Sequence, residues 1–278
     1  MLWHALFAGT NLCQLVKHNA GTAFSTKKIA PLVLAALILS TIAAIADLKT
    51  ATPARIRVAL YKGPGTGGNG PPDLLKTIGA AAAPTTITEV TPDQIRAGVL
   101  ANFDVVIFAG GSGSQEAKAI GENGRAQVEK FVGQGGGYVG ICAGAYLATA
   151  GYPWSLHIIN AHTLSPKWQR GRATLKLEVT PAGEKILGGE TNIDCIYHQG
   201  PIVGPFSATN LPPYDVLAWF RTEVASNDTP KGIQINSPAI FSATFEKGRV
   251  VCISPHPEQT EGLEYIVPNA VGWVAPTK

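Results

Sequence analysis

The chain has 278 residues, of which 45% are hydrophobic, and its 22 basic and 19 acidic side chains give a formal net charge of +3. A chain of this length and apolar content buries a sizeable core without help from disulfides, which excludes a disordered protein and a small disulfide-dependent scaffold. After residue 46 there is no run of Lys or Arg, which argues against a nucleic-acid partner.

Residues 29–46 form an uncharged apolar run that follows two lysines and ends in a small-x-small pattern at Ala46. This pattern predicts an export signal within residues 1–46, a linker over 47–54 and a periplasmic or extracytoplasmic mature protein. The alternative is an uncleaved membrane anchor, because 18 apolar residues also just span a bilayer. Cleavage after Ala46 removes three of the 22 basic residues and none of the 19 acidic ones, so the mature chain is formally neutral.

From residue 55 onward, short β-branched runs alternate with helical stretches, as in βαβ units around a parallel sheet. Strands are predicted near 55–61, 85–90, 104–109 and 137–141, and helices near 72–82, 92–100 and 115–133. We therefore predict an α/β domain over residues 55–278 with a doubly wound, flavodoxin-like, mostly parallel sheet and helices on both faces. Ligands of such sheets bind beyond the carboxyl ends of the strands.

Residues 151–215 interrupt this alternation with aromatic residues, prolines and the alternating run 173–179, which predicts a half-solvated antiparallel strand. We expect a β-rich insertion that forms one wall over the active edge. Arg170 and Arg172 are interpreted as the polar lip of a hairpin. Later strands are predicted near 216–224, 238–246 and 249–254, and the last of these returns to the core sheet.

Cys142 lies where the apolar strand 137–141 runs into a turn of small residues, in the segment GICAGAY (140–146). A thiol on a strand-to-helix elbow is exposed at the sheet edge, where a helix N-terminus favours the thiolate. His256 and Glu258 follow the last predicted strand, and residues two apart in an extended segment project to the same side. The three residues have the pattern of a nucleophile, a base and an orienting carboxylate.

Cysteines 142, 195 and 252 remain in the predicted mature chain. Cys195 and Cys252 are possible disulfide partners in an oxidising compartment, but their apolar surroundings favour two buried hydrophobic residues. No Cys-x-x-Cys or clustered His pattern indicates a metal site. The glycine-rich segment 63–70 is interpreted as a flexible loop at the active edge, because a phosphate-binding loop needs a following Gly-Lys-Ser/Thr. We therefore expect no cofactor.

Several motifs carry a resemblance to a known superfamily. The elbow, the turn at Ala109, Gly110 and Gly111, and the late His256-Pro257-Glu258 segment resemble the class I glutamine amidotransferase-like superfamily. YKGPGT (61–66), WQRG (168–171) and YHQGP (197–201) are similar to the N-terminal domain of biotin-protein ligases, which also occurs alone in bacteria. The resemblance spans most of residues 55–260.

The resemblance implies roles for individual residues. Cys142 would be the nucleophile, His256 its general base and Glu258 the group that fixes the imidazole tautomer. The backbone N–H groups of Gly111 and Ala143 would form an oxyanion hole. The implied substrate pocket comprises Gly110, Tyr146, Tyr197, His198 and Gly200.

The expected function is an exported cysteine hydrolase or amidase that acts on a small amide or peptide through a thioester. Glutamine-using relatives commonly carry Gln where this chain has Tyr146, which makes a strict glutamine amidotransferase the weaker alternative. A catalytically inactive module that binds a small ligand or partner is the other alternative. Biotin ligation is not expected, because the ligase catalytic module is absent. A membrane is a partner only if the apolar segment is not cleaved.

Overall fold

The computed structural model describes residues 55–80 and 84–277. The predicted export signal or anchor and the linker over 47–54 lie outside the described residues. The described part contains eleven strands: β1 (Ile56–Tyr61), β2 (Thr85–Val90), β3 (Val105–Phe108), β4 (Gly137–Ile141), β5 (Ala161–Thr163), β6 (Arg172–Val179), β7 (Asn192–His198), β8 (Val203–Pro205), β9 (Asp215–Phe220), β10 (Pro238–Phe245) and β11 (Gly248–Ile253). Its α-helices are α1 (Gly70–Gly79), α2 (Pro92–Arg96), α3 (Gly113–Gly133), α4 (Ala143–Ala148), α5 (Pro181–Leu187) and α6 (Ile266–Val274).

Nine strands form one sheet in the order β2-β1-β3-β4-β11-β10-β9-β6-β7. The first five strands of this order pair in parallel, and the remaining pairs are antiparallel. The mixed α/β sheet with helices confirms the predicted fold class. The strand β11 pairs with β4, so the last strand returns to the core sheet as predicted.

The parallel half is buried on both faces, and β3 illustrates this arrangement. Successive side chains of a strand point to opposite faces, and all four residues of β3 are fully buried, so both faces of this strand are covered. Val105 and Ile107 pack in the cluster that contains residues of α1 and α6, whereas Val106 and Phe108 pack with residues of α3 and α4. Burying each such side chain stabilises the fold by about 1.5–3 kcal/mol.

The antiparallel half keeps one face in solvent. Along β6, Leu175 and Leu177 are buried, whereas Thr174 and Lys176 are exposed, which confirms the predicted half-solvated antiparallel strand. The insertion is β-rich, but β6 and β7 extend the main sheet at its edge, and β5 and β8 form a separate two-stranded sheet. The helix α5 within the insertion was not predicted from the sequence.

Two predicted helices differ in detail from the structure. The stretch 92–100 is divided into α2 and a 3₁₀ helix at Val99–Asn102, with Gly98 between them at φ +84°. The long helix α3 is interrupted at Gly121, where φ is +67°. No helix in the described ranges is long and apolar enough to cross a membrane.

Candidate active site

The nucleophile candidate Cys142 lies at a backbone position that ordinary residues avoid. Its φ of 50° and ψ of −97° place it between β4 and α4 in a conformation that costs about 1–3 kcal/mol. The N–H of Cys142 donates a 2.8 Å hydrogen bond to the carbonyl of Ile253, at the end of the neighbouring strand β11. A Cβ on Gly144 would clash with the carbonyl oxygen of Phe108, so α4 approaches the sheet closely only because this residue is glycine.

His256 and Glu258 form a buried pair just after β11. The Nδ1 of His256 is 2.7 Å from Oε1 of Glu258, and both residues are 5% exposed. The backbone N–H of His256 donates to the carbonyl of Ile196, which anchors the segment after β11 to the strand β7. Because Glu258 binds Nδ1, the other ring nitrogen remains for a thiol proton. The structure therefore brings the predicted base and orienting carboxylate together.

The imidazole of His256 lies beside Cys142. A Cβ added to Gly110 would be 2.8 Å from Cε1 of His256 and 3.7 Å from Cβ of Cys142. Gly110, His256 and Cys142 therefore lie in close contact. Burial lowers the pKa of His256, but hydrogen bonds and charges from Cys142 and Glu258 outweigh it and raise this pKa to about 10. The site is therefore electrostatically arranged to hold a proton on the imidazole next to the sulfur.

Two backbone N–H groups border the reactive position. Gly111 has φ +149°, and it is held in place by hydrogen bonds from the Gly67 N–H to the Gly110 carbonyl and from the Ser112 N–H to the Gly65 carbonyl. A Cβ on Gly111 would clash with the Gly65 carbonyl oxygen. Within the described residues, the N–H groups of Gly111 and Ala143 donate no hydrogen bond. Neither predicted oxyanion-hole donor therefore has a competing partner, although of the two residues only Gly111 lines the cavity.

A cavity of about 620 Å³ opens over these residues. Glycine-rich loops form one wall, as predicted for the segment 63–70, and the insertion forms another. The lining residues are Gly67, Gly68, Asn69, Gly70, Gly110, Gly111, Ser112, Gly113, Ser114, Cys142, Tyr146, Tyr152, Trp154, Pro166, Trp168, Arg172, His198, Gln199, His256 and Gln259. The volume falls within the range of small-molecule sites.

Three of the five predicted pocket residues line the cavity. Gly110, Tyr146 and His198 do so, and the hydroxyl of Tyr146 donates to the carbonyl of Gln199 over 3.1 Å. The thiol of Cys142 donates to the carbonyl of His198 over 3.5 Å. Burial and the nearby charges of His256 and Arg172 lower the pKa of His198.

The other two predicted pocket residues face the protein interior. Tyr197 is fully buried and packs edge-on against Phe220, because residues adjacent to His198 on β7 point to the opposite face. Its hydroxyl donates to the carbonyl of Gly200 over 2.8 Å. Gly200 packs tightly against Ser254, where a Cβ would clash with the Ser254 carbonyl oxygen. Their assignment to the substrate pocket is therefore wrong.

The remaining cysteines are free and buried, so the suggested disulfide between Cys195 and Cys252 does not form. Burial raises the pKa of Cys195 to about 12 and also raises that of Cys252. Both thiols are thus inert at neutral pH, as expected of small buried hydrophobic residues. No cluster of three or more His, Cys, Asp or Glu side chains suited to a metal ion occurs in the described part of the chain.

The interpretation of Arg170 as part of a polar lip is wrong. Arg170 is 1% exposed, donates to the carbonyl of Pro230 over 2.8 Å and forms an ion pair with Glu223 at 3.4 Å. These partners lie more than fifty residues later in the chain, so no local signal identified them. Sequence reasoning also missed the cavity-lining residues Tyr152, Trp154, Trp168, Arg172 and Gln259. The crowding of aromatic residues in the insertion was the available signal.

A buried carboxyl group, also missed, lies behind the cavity. Glu116 on α3 is fully buried, and neither of its carboxyl oxygens has a hydrogen-bond partner among the described residues. Burial, and next to it the charge of Cys142, raises the pKa of Glu116 well above its usual value. The fold therefore favours the protonated form of Glu116.

Comparison with known proteins identifies the fold. A family model for the N-terminal region of biotin-protein ligase matches residues 56–160, which run from β1 through the elbow to the start of the insertion. This match confirms the predicted resemblance to the N-terminal domain of biotin-protein ligases, and the likeness to PurLQS confirms the fold that the resemblance implies. No curated protein matches the chain.

Solved structures with the same fold share little sequence with this chain. PurLQS from Thermotoga maritima has a TM-score of 0.55 at 16% identity and covers 79% of this chain and 99% of its own. A cytoplasmic protein from Salmonella typhimurium LT2 has a TM-score of 0.53 at 15% identity over 79% of this chain and 100% of its own. A protein described as ThuA-like from Bacteroides uniformis has a TM-score of 0.51 at 14% identity over 81% of this chain and 94% of its own. At these identities the likeness shows the fold alone.

Proposed function

We propose that this protein is an exported cysteine-dependent hydrolase or amidase that cleaves a small amide or peptide through a thioester. The observation that carries the proposal is the position of Cys142 on a strained elbow, at one wall of a cavity that His256 also lines. Strained backbone conformations cluster at functional sites, where the surrounding structure maintains them. The apolar run 29–46 supports export.

The proposed reaction begins with transfer of the Cys142 thiol proton to His256, whose raised pKa favours the imidazolium. The sulfur attacks the carbonyl carbon of the substrate, and the resulting oxyanion accepts hydrogen bonds from the N–H groups of Gly111 and Ala143. The C–N bond breaks, and the leaving amine takes the proton from His256. A thioester on Cys142 remains.

Water completes the cycle. His256 takes a proton from a water molecule as the water oxygen attacks the thioester carbon. The C–S bond then breaks, the product leaves as a carboxylic acid, and the proton returns to the sulfur. Glu258 accepts the hydrogen bond from Nδ1 throughout, which keeps the ring oriented and stabilises its charge.

The test measures iodoacetamide alkylation of Cys142 against pH, with the label located by mass spectrometry. In the wild type we expect fast labelling at pH 7, and in His256→Ala a labelling rate lower by about a hundredfold. His162→Ala is the matched control, because His162 is a histidine of β5 outside the cavity lining. Equal, slow labelling of wild type and His256→Ala would refute an activated nucleophile.

A second candidate is a catalytically inactive module that binds a small ligand or a partner. The observation that favours it is the 3.5 Å hydrogen bond from the Cys142 thiol to the His198 carbonyl, which directs the thiol toward a partner other than His256. Equal labelling of the two proteins would support this candidate. Glutamine amidotransfer is disfavoured, because Tyr146 lines the cavity where glutamine-using relatives carry Gln.

A further inference from the structure

Aromatic side chains from the insertion form one wall of the cavity. Tyr152 and Trp154 stack with ring centroids 4.6 Å apart and an interplanar angle of 14°. Trp168 also lines the cavity, and its exposed fraction of 50% is unusually high for an indole. Indole faces of this kind provide rigid apolar contact area for a ligand at a small cost in side-chain entropy.

An arginine without an acidic partner borders the same wall. Arg172 on β6 lies directly opposite His198 on β7 in the antiparallel register, so the two side chains share one face of the sheet. No ion pair or hydrogen bond to the Arg172 guanidinium occurs within the described residues, whereas Arg57, Arg96, Arg170 and Arg221 each pair with a carboxylate. An exposed, unpaired guanidinium at the edge of a cavity is suited to a planar anion, which it binds through two parallel hydrogen bonds.

The cavity lining has basic groups and no carboxylates. Apart from Tyr146 and Tyr152, its charged or titratable side chains are Arg172, His198, His256 and Cys142, and no Asp or Glu lines it. The charge of Arg172 contributes to the lowered pKa of His198, so the cation acts on the interior of the site. An anionic ligand therefore enters a field of complementary sign.

We propose that the site takes a small amide that carries a free carboxylate and an apolar or aromatic side group. The carboxylate pairs with Arg172, and the side group packs on Trp154 and Trp168. An N-acylated amino acid or a short peptide with its C-terminal carboxylate has this chemistry and suits a cavity of about 620 Å³. The assignment of this molecule as a substrate rests on the proposed function, whereas its binding does not.

The binding test uses matched pairs that differ only in charge. N-acetyltryptophan and N-acetylleucine, each as free acid and as amide, are titrated by calorimetry into the mature protein with Cys142→Ala to prevent turnover. We expect each acid to bind about tenfold more tightly than its amide. In Arg172→Gln this preference disappears, and in Arg172→Lys part of it remains. Trp168→Ala weakens acid and amide alike.

Arg221→Gln is the control, because Arg221 pairs with Glu178 and does not line the cavity. It should keep the full preference for acids. Because Arg172 is exposed, its variants should retain the wild-type unfolding temperature. Equal affinity for acid and amide, a preference that survives Arg172→Gln, or no binding by any of the four ligands would overturn the proposal.

The two proposals fail in different ways. Acid-selective binding through Arg172 together with slow labelling of Cys142 would retain the ligand class and reject the hydrolase. Fast labelling, with hydrolysis that is equally efficient for neutral and acidic amides, would retain the hydrolase and reject the ligand class. If both proposals hold, Arg172→Gln should raise KM for acidic amides by about tenfold and leave kcat unchanged.

Discussion

In the parallel half of the sheet, strands β1, β3, β4 and β11 are almost entirely buried between helices, whereas β6 and β7 in the antiparallel half keep one face in solvent. The two halves also contribute different residues to the cavity. Cys142 and His256 follow β4 and β11, while Trp168, Arg172 and His198 belong to the insertion or the strands that it adds.

The parallel half therefore positions Cys142 and His256, whereas the antiparallel half supplies the side chains that would select a ligand. Buried parallel strands have little freedom to move, so they hold Cys142 and His256 at a fixed separation. Half-solvated strands tolerate a change of exposed side chain with little effect on the core. Under the two proposals, the residues that contact the ligand can therefore vary in the antiparallel half while Cys142 and His256 stay unchanged. The following variants test whether the halves are separable in this way.

Arg170→Ala should lower the free energy of unfolding more than the other variants. The structural change should be confined to the antiparallel half. Removing Arg170 leaves Glu223 partly buried without its ion pair, which lowers the free energy of unfolding by about 3 kcal/mol. Ligand affinity should also fall, because Trp168 and Arg172 flank this anchor. Chemical denaturation and calorimetry measure the two effects.

Arg221→Ala is the matched control, since its ion pair with Glu178 is half-exposed and contributes little to stability. Labelling of Cys142 at pH 7 should be the same in Arg170→Ala as in the wild type under native conditions. A loss of labelling comparable to that of His256→Ala would show that the halves are coupled.

Gly110→Ala should affect the parallel half alone. The new Cβ would lie 2.8 Å from Cε1 of His256, so the imidazole must move away from the sulfur. We expect labelling of Cys142 at pH 7 to slow by about a hundredfold, which corresponds to about 2.7 kcal/mol. Gly68 lines the same cavity but has open space around an added methyl group. Cys142 should therefore be labelled at the wild-type rate in Gly68→Ala. Normal labelling of Gly110→Ala would contradict the assigned position of His256.

Glu116→Gln should change stability the least, and the size of this change should depend on pH. The folded state raises the pKa of Glu116, so its contribution to stability is complete below the unfolded value and is lost as the pH rises. The wild type therefore loses stability above about pH 4.5, whereas the variant has no carboxyl group to ionise. The stability of the variant relative to the wild type should therefore rise as the pH increases from 4 to 8.

Urea denaturation at pH 4, 6 and 8 measures this difference. Glu122→Gln, on the exposed side of the same helix, is the control and should show no such trend. A Glu116→Gln variant that follows the wild type at every pH would mean that the Glu116 carboxyl is solvated.

The sequence predicted the parallel half well because the relevant signals are local. Four nearly continuous apolar runs marked β1, β3, β4 and β11, and each observed strand lies within about two residues of its prediction. The elbow was recognisable because its small residues permit a close approach of helix and sheet. The proximity of His256 to Glu258 followed from their spacing of two residues.

The antiparallel half was harder to predict because its contacts are distant in sequence. Tyr197 and His198 were both assigned to the pocket, although adjacent residues of a strand must face opposite sides. The burial of Arg170 depends on Pro230 and Glu223. Nothing near residue 170 indicates those partners, and the contributions of Trp168 and Arg172 depend on the same long-range folding.

The hydrogen bond from the Cys142 N–H to the Ile253 carbonyl has a consequence for the sheet as a whole. It closes the ladder between β4 and β11, in which Ile141 pairs with Ile253, so one interstrand spacing of about 4.8 Å separates the elbow from the end of β11. A slip of β11 by a single residue would carry His256 about 3.3 Å along the strand and turn its side chain to the other face. The reactivity of the Cys142 thiol therefore reports whether β4 and β11, two strands at the centre of the sheet, are paired in this register.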